Sequence, residues 1–447
     1  MNYTFLRCIR PTKYWSLIRN SSTNSCNTRP VRKGLVLGAY TGCEPHEITL
    51  TKTAEKFDKE VNGKLKSLVQ GMGLEDGKAR VLNLVHPDYY AVAVAGIGPQ
   101  GVGYNRAENI MANKENIRMA AGAGAMALQD AWVTDIEVEP MDDAEAAAEG
   151  ATLGLWRYQE HKSQLLKKNE AVANLYEAGV LGQTDKEEWI RGEAKAEAQN
   201  IARYLSVTPA NIMTPTMFAQ YCLETLCPCG VQVEVRDRYW IKEKCMNAFW
   251  AVAKGSCEPP LLVELHYKGG GDSNIVMTGK GCTYDSGGLC LHKCKELRYQ
   301  HGDKAGAAAI VGVFKALCDF KLPINVTAII PLYENMPGGG AVKPGDVVKA
   351  MNGKTIRIER PDHDGRVALA DALSYAACFN PKITINVATL SRSMKTTMGT
   401  SASGVFSTSE ELWKELYCAG ADTGDRVWRF PFWEHAENKV IGFDDVD

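Results

Sequence analysis

Two short stretches carry the residue types and spacings with the most chemical content. The first is Gly279-Lys280-Gly281-Cys282-Thr283-Tyr284-Asp285-Ser286-Gly287-Gly288, with Asp303 eighteen residues after Asp285. The second is Asp362-His363-Asp364-Gly365-Arg366. Together they hold four carboxylates, one lysine and one arginine. Oxygen-rich clusters of this kind suit a pair of divalent metals that share carboxylates and a water. A water held in this way becomes a nucleophile at neutral pH, so the expected chemistry is hydrolysis. Taken singly, each residue reads as a surface charge or a helix cap, and Asp285 before Ser-Gly-Gly reads as a turn residue. Only the joint spacing carries the ligand reading.

Strands and helices must deliver these groups. Asn274 to Thr278 reads as a strand that brings Lys280 to its end, and Ala305 to Cys318 as a helix starting just after Asp303. Ile324 to Pro331 and Ile383 to Thr389 read as strands, and Val367 to Cys378 as a helix opening after Arg366. Alternating strands and helices imply a mainly parallel sheet with ligands at the strands' carboxyl ends. Upstream, Gly34 to Tyr40, Val81 to Val85 and Ala91 to Ala95 have strand character, while Asn113 to Asp130 and Asp143 to Tyr158 have the pattern of packed helices. Gly96, Gly98, Gly101 and Gly103 follow a strand but lack the dinucleotide fingerprint, so they read as a plain turn. Thr184-Asp185-Lys186-Glu187 has the form of a capping box and opens a long polar helix through about Leu205.

The bulk properties set limits. A chain of 447 residues exceeds what one hydrophobic core usually serves, so two domains are expected. Net charge is −2, which gives no reason to expect nucleic acid or an anionic membrane as partner, and no apolar run is long enough to span a bilayer. The 14 cysteines are scattered and do not resemble a secreted disulfide framework. Cys227-Pro228-Cys229 is too close for a zinc knuckle, and Cys290 and Cys294 flanking His292 read as plain thiols. Residues 1–32 are basic and serine-containing, and no acidic residue occurs before Glu44. That composition suits a mitochondrial transit peptide, with a disordered basic tail and a cytoplasmic protein as the alternative.

The chain resembles the leucyl aminopeptidase (cytosol aminopeptidase) family of two-metal exopeptidases. The resemblance rests on the two stretches above and on Thr208-Pro209-Ala210-Asn211-Ile212-Met213-Thr214-Pro215, Pro331-Leu332-Tyr333-Glu334-Asn335-Met336-Pro337 and Lys343-Pro344-Gly345-Asp346-Val347-Val348. Asn352-Gly353-Lys354-Thr355-Ile356 and Thr423-Gly424-Asp425-Arg426-Val427-Trp428-Arg429 add to it. It runs from about Lys33 to the last residue and implies two α/β domains, a smaller N-terminal one and a larger catalytic one with a mainly parallel central sheet. The expected division is a tail at 1–32, an N-terminal domain at 33–183, a linking helix at 184–206 and a catalytic-type domain at 207–447. The family's chains continue past the segment like Phe430 to His435 with a further helix; the short end here reads as a truncation or a lost element.

The resemblance also implies roles. Lys280, Asp285, Asp303, Asp362 and Asp364 stand at metal-ligand positions for two divalent ions, Mn or Zn, with Asp285 bridging. Lysine ligates only as the neutral amine. Arg366 would hold a bicarbonate that serves as general base. Gln300, Thr389, Leu390 and Arg392 would line the substrate cleft. A homo-hexamer, or an assembly with paralogues, is the implied partner state.

Five positions depart from the family pattern. Asp364 replaces a Glu, shortening its reach by roughly 1.5 Å, against a metal–ligand tolerance of about 0.2 Å. His292 replaces a catalytic Lys, and near two dications the imidazole is expected to be neutral. Arg360 replaces an Asn, Gln300 a Met, and Arg392 a Gly that leaves room for substrate. The pattern is similar to that of sperm leucyl aminopeptidase paralogues with eroded sites. Weak or single-metal occupancy and reduced peptidase activity in a structural oligomer are expected; an active metalloaminopeptidase of altered specificity is the alternative.

Overall fold

The computed structural model describes residues 31–44, 46–177, 183–271 and 274–434. Apart from Val31 and Arg32, the expected basic leader lies outside them. The described residues divide into two compact units: 198–393 with 432–434, and 31–197 together with Met394–Pro431.

The N-terminal unit is built on a sheet of apolar strands. Strands β1 (Lys33–Thr41), β2 (Ile48–Leu50), β3 (Ala79–Asn83) and β4 (Ala91–Gly98) are followed by helix α1 (Ala112–Asp130), β5 (Asp135–Val138), α2 (Ala144–Leu155) and β6 (Val172–Leu175). The sheet order is β3-β4-β1-β5-β6, with β2 added to β1. The pairs β4·β1, β1·β5 and β5·β6 are parallel and β3·β4 is antiparallel. Every residue of β4 is buried, as expected for a strand covered on both faces. Asp143 caps α2, its carboxylate accepting from the Ala146 amide at 2.9 Å. Met394–Pro431 packs in this unit, where Lys114 pairs with Asp422 at 2.6 Å and Arg118 donates to the Asp422 carbonyl at 2.7 Å. That grouping cannot be read from order along the chain.

The polar helix α3 (Gln183–Val207) starts one residue before Thr184, so Thr184 lies within its first turn. Next come β7 (Gln232–Arg236), β8 (Leu261–Lys268), β9 (Asn274–Gly279) and β10 (Gly281–Asp285). They are followed by α4 (Ala305–Phe320), β11 (Asn325–Asn335), α5 (Asp364–Ala376) and β12 (Ile383–Val387). The second sheet has the order β12-β9-β11-β8-β7, with β10 also on β11. The half around β9, β10, β11 and β12 is parallel; β8 and β7 run antiparallel at the far edge.

The two faces of this sheet carry different layers. On one, Ala307, Ile310, Val311 and Phe314 of α4 pack with Met277, Ala328 and Ile330. On the other, Val367, Leu369 and Ala372 of α5 pack with Val276, Ile329 and Tyr333. Neighbouring residues fall on opposite faces because side chains alternate along a strand.

Strand β11 continues past Pro331 to Asn335, beyond the end expected from sequence. The proline is tolerated because β11 changes partner there: its pairing with β9 ends at Thr278↔Ile329, and its pairing with β10 begins at Gly281↔Leu332. A residue without an N–H fits where one ladder stops and another starts.

Candidate metal centre

The change of partner is what places the site. Lys280 sits between β9 and β10, in the gap where the ladder shifts, and Asp285 ends β10. Asp303 comes from a 3₁₀ turn, Gln300–Lys304, that leads into α4. Asp362 lies in the turn Pro361–His363, and Asp364 opens α5. Gly365 has to be glycine for a local reason. A Cβ there would stand 2.8 Å from Lys280 Cε and 3.1 Å from its Nζ, so the bare backbone lets the lysine pass.

The buried half of the site is a three-way ionic cluster. Lys280 Nζ lies 3.0 Å from Asp364 Oδ1 and also contacts Asp303 Oδ2. The second Asp364 oxygen accepts from the Tyr333 hydroxyl at 2.7 Å. The second Asp303 oxygen accepts from the Thr389 hydroxyl at 2.6 Å. Lys280, Asp303 and Asp364 are all buried. One ammonium cannot neutralise two buried carboxylates. Burial, with the Asp364 charge added and Lys280 opposing, pushes Asp303 up to about 7, and burial raises Asp364 in the same direction. Burial disfavours the Lys280 charge, but Asp364 and Asp303 outweigh it and hold the ammonium above the usual lysine range.

The outer half has a different character, because a basic side chain of its own holds each carboxylate. Asp285 accepts from the Gly287 amide and from Asn335, both at 2.8 Å, and its other oxygen lies 2.9 Å from His292 Nε2. That hydrogen bond raises the imidazole above the ordinary histidine value, against burial and Arg392. The neutral imidazole expected from sequence belongs to a site holding two dications; the contact with Asp285 acts in the opposite direction. Asp362 is gripped by Arg360 through two contacts, Nε to Oδ1 at 3.1 Å and a terminal nitrogen to Oδ2 at 2.6 Å. Burial opposes ionisation of Asp362, and Arg360 more than offsets it, leaving the carboxyl below its usual range. Asn335 ties the Asp285 and Asp362 segments of this outer half together, since its amide also donates to the Pro361 carbonyl at 3.0 Å.

The residues expected around the substrate are dispersed. Thr389 turns inward to Asp303, so it holds a candidate ligand. Arg392 pairs with Glu296. Leu390 is largely exposed, and Gln300 begins the turn that carries Asp303. Arg366 is exposed and makes no ion pair among the described residues.

Three contributors were missed from sequence. Tyr333 and Asn335 reach Asp364 and Asp285 from one face of β11, and the signal was their spacing of two within Pro331 to Pro337. Cys282, two residues after Lys280, brings its thiol into the buried half. Ligand atoms of Cys282, Asp303 and Asp364 all lie within 4.8 Å of one another. The buried half therefore fits one divalent ion: its donors converge, and Asp303 Oδ2 accepts no hydrogen bond, its contact being the ionic one with Lys280. The outer carboxylates do not fit a second ion in the same way, because His292 and Arg360 already occupy them.

Comparisons with known proteins agree with this layout. The model of the cytosol aminopeptidase family's catalytic domain matches residues 200–446, and that of its N-terminal domain matches 36–165. Cytosol aminopeptidase of Homo sapiens is 42% identical over 432 residues, 95% of this chain and 82% of that protein. The Bos taurus protein of the same name is 44% identical over 92% of this chain and 79% of its own length. Among solved structures, the bottromycin maturation enzyme BotP in complex with Mn superposes with a TM-score of 0.76 at 28% identity, covering 93% of this chain and 85% of that one.

Proposed function

The chain belongs to the cytosol aminopeptidase family, and we propose that it keeps the family's metal-dependent scaffold around a degenerate centre. That centre holds a single divalent ion and turns over peptides weakly or not at all, and the protein serves as a structural oligomer. One observation carries the reading: the Asp285–His292 and Asp362–Arg360 pairs occupy the carboxylates that a second ion would need. An ion in the buried half, Mn or Zn by family, would supply Lewis acidity and lower the pKa of a water. This chain's residues do the rest. Tyr333 and Thr389 fix Asp364 and Asp303, Asn335 fixes Asp285, and Arg366 stands open to a planar anion. His292 turns Nε2 to Asp285, and its shorter imidazole stands where active relatives have a lysine ammonium to polarise the scissile carbonyl; loss of such a donor costs on the order of 10²–10³ in rate.

The oligomer proposed is a homo-hexamer or an assembly with paralogues, as the family suggests. The basic, acid-free start of the chain supports mitochondrial targeting.

The test is metal analysis of dialysed protein together with turnover of a leucyl chromogenic substrate in excess Mn²⁺. The expected result is at most one tightly held ion per chain and a low rate. The combined variant His292→Lys, Asp364→Glu, Arg360→Asn, Arg392→Gly should raise turnover by at least roughly 10². His292→Lys alone should do little, because residues of one catalytic unit act together. A wild-type rate within about tenfold of the combined variant would instead establish an active aminopeptidase of altered specificity.

A further inference from the structure

Cys282 stands where neither the motif nor the family reading asks for a ligand, and three observations converge on it. It is fully buried and forms no disulfide. Its sulfur lies within 4.8 Å of carboxylate oxygens of Asp303 and Asp364, which are themselves so spaced. The buried Asp303 Oδ2 beside it is held by the Lys280 ammonium. Donor atoms of a tetrahedral site with one sulfur stand about 3.5 Å apart, so binding draws together by up to about 1 Å groups that already lie within 4.8 Å of one another.

We propose that Cys282 is a metal ligand, completing with Lys280, Asp303 and Asp364 a four-donor site for one thiophilic dication of the Zn²⁺ class. This rests on the single-ion reading above and adds to it the metal class and a further donor. One sulfur, one nitrogen and two oxygens suit a tetrahedral ion of borderline softness, whereas Mn²⁺ prefers oxygen alone. Two protons leave when the ion enters, one from the thiol and one from the ammonium. With both carboxylates ionised, the exchange leaves the charge of the cluster the same. Two carboxylates and an ammonium sum to one negative charge; two carboxylates, a thiolate, a neutral amine and a dication sum to the same. The buried site takes up the ion without any change in net charge.

The test uses the full chain, stripped with EDTA, dialysed and titrated with Co²⁺ as a spectroscopic substitute for Zn²⁺. Thiolate ligation gives a near-ultraviolet charge-transfer band that oxygen and nitrogen ligands do not. The band should saturate at one ion per chain and be absent in Cys282→Ala and Cys282→Ser. Their Zn²⁺ affinity, read by chelator competition, should fall by about tenfold or more. Asp303→Asn keeps the thiol and should still lose the band, which separates this site from surface cysteines such as Cys294. Visible Co²⁺ bands without the charge-transfer band would overturn Cys282 as ligand and leave the single-ion reading standing. No Co²⁺ binding at all would overturn both. A band that survives Cys282→Ala would place the thiolate elsewhere and overturn the proposal. If the Cys282 variants fail to fold, the cadmium-113 resonance of the Cd²⁺-loaded wild-type chain decides, since a thiolate ligand moves it far downfield of an all-oxygen-and-nitrogen site.

Discussion

Replacing Lys280 by Met tests the ionic cluster directly. The ammonium lies 3.0 Å from Asp364 Oδ1 and contacts Asp303 Oδ2, with all three groups buried. Removing one partner of a buried pair typically costs about 3–5 kcal/mol, because a charge is stranded away from water. Here two carboxylates are stranded, but they have an exit, since either can take up a proton. Relief by protonation costs about 1.4 kcal/mol per pH unit above the carboxyl's pKa. With Asp303 already up at about 7, that exit is cheap near neutrality. The expected loss at pH 7 is therefore near the lower limit, about 3 kcal/mol. The two compact units make a single global unfolding free energy ill-defined. The assay is thus hydrogen exchange in EDTA, read on peptides spanning Asn274 to Asp285. Adding Asp364→Asn to Lys280→Met should recover part of the loss. A change below about 1 kcal/mol in Lys280→Met would show that the carboxylates are solvated, not held by the lysine.

The same cluster sets a pH dependence. Asp303 has a folded-state value of about 7 against an ordinary 3.8, so between those values the folded protein binds the extra proton. In EDTA, stability of the strands around Lys280 should fall as pH rises from about 4 to about 7, and Asp303→Asn should flatten that slope. Tyr333→Phe deprives Asp364 of its 2.7 Å donor, and the same exchange measurement should show a loss of about 1–3 kcal/mol. Gly365→Ala puts a methyl group 2.8 Å from Lys280 Cε; it should cost about 1–3 kcal/mol and weaken Zn²⁺ binding in the chelator assay. Arg392→Gly alone should leave melting temperature and leucyl turnover unchanged, because its pair with Glu296 sits at the surface.

Much of the fold was legible because local signals and long-range demands coincide. The all-apolar run Ala91 to Ala95 must be covered on both faces, and it forms the buried strand β4. The residues Ala305 to Cys318 form α4 because their small and apolar side chains meet the sheet. What stayed hidden depends on contacts distant in sequence. The extension of β11 through Pro331 follows from a change of neighbouring strand that no window around the proline contains. The segment Met394–Pro431 joins the N-terminal unit through partners such as Lys114 and Arg118 some three hundred residues away. In the site, spacing singled out five candidate positions but not how they are partnered. Asp303, Asp364 and Lys280 share one buried cluster, while Asp285 and Asp362 each have a basic side chain of their own. Cys282 was read only as one scattered cysteine among 14, since period-two adjacency to Lys280 has meaning only once a strand turns both residues inward.

The pattern of basic side chains gives the substitutions a common physical sense. Four carboxylates confined to one site repel each other and require positive charge nearby. A two-metal centre meets that requirement with dications, and its own lysine can then be neutral. In this chain Lys280 serves Asp303 and Asp364, His292 serves Asp285 and Arg360 serves Asp362. Side chains thus supply positive charge beside each of these carboxylates. Arg360 can be replaced with little loss to packing, as its side chain is 60% exposed. Asp285 cannot, because Gly287, Asn335 and His292 all converge on it. The carboxylates therefore remain indispensable to the architecture whether or not they turn over substrate. Their spacing in the sequence is the family's, and the structure adds which side chain each one is partnered with.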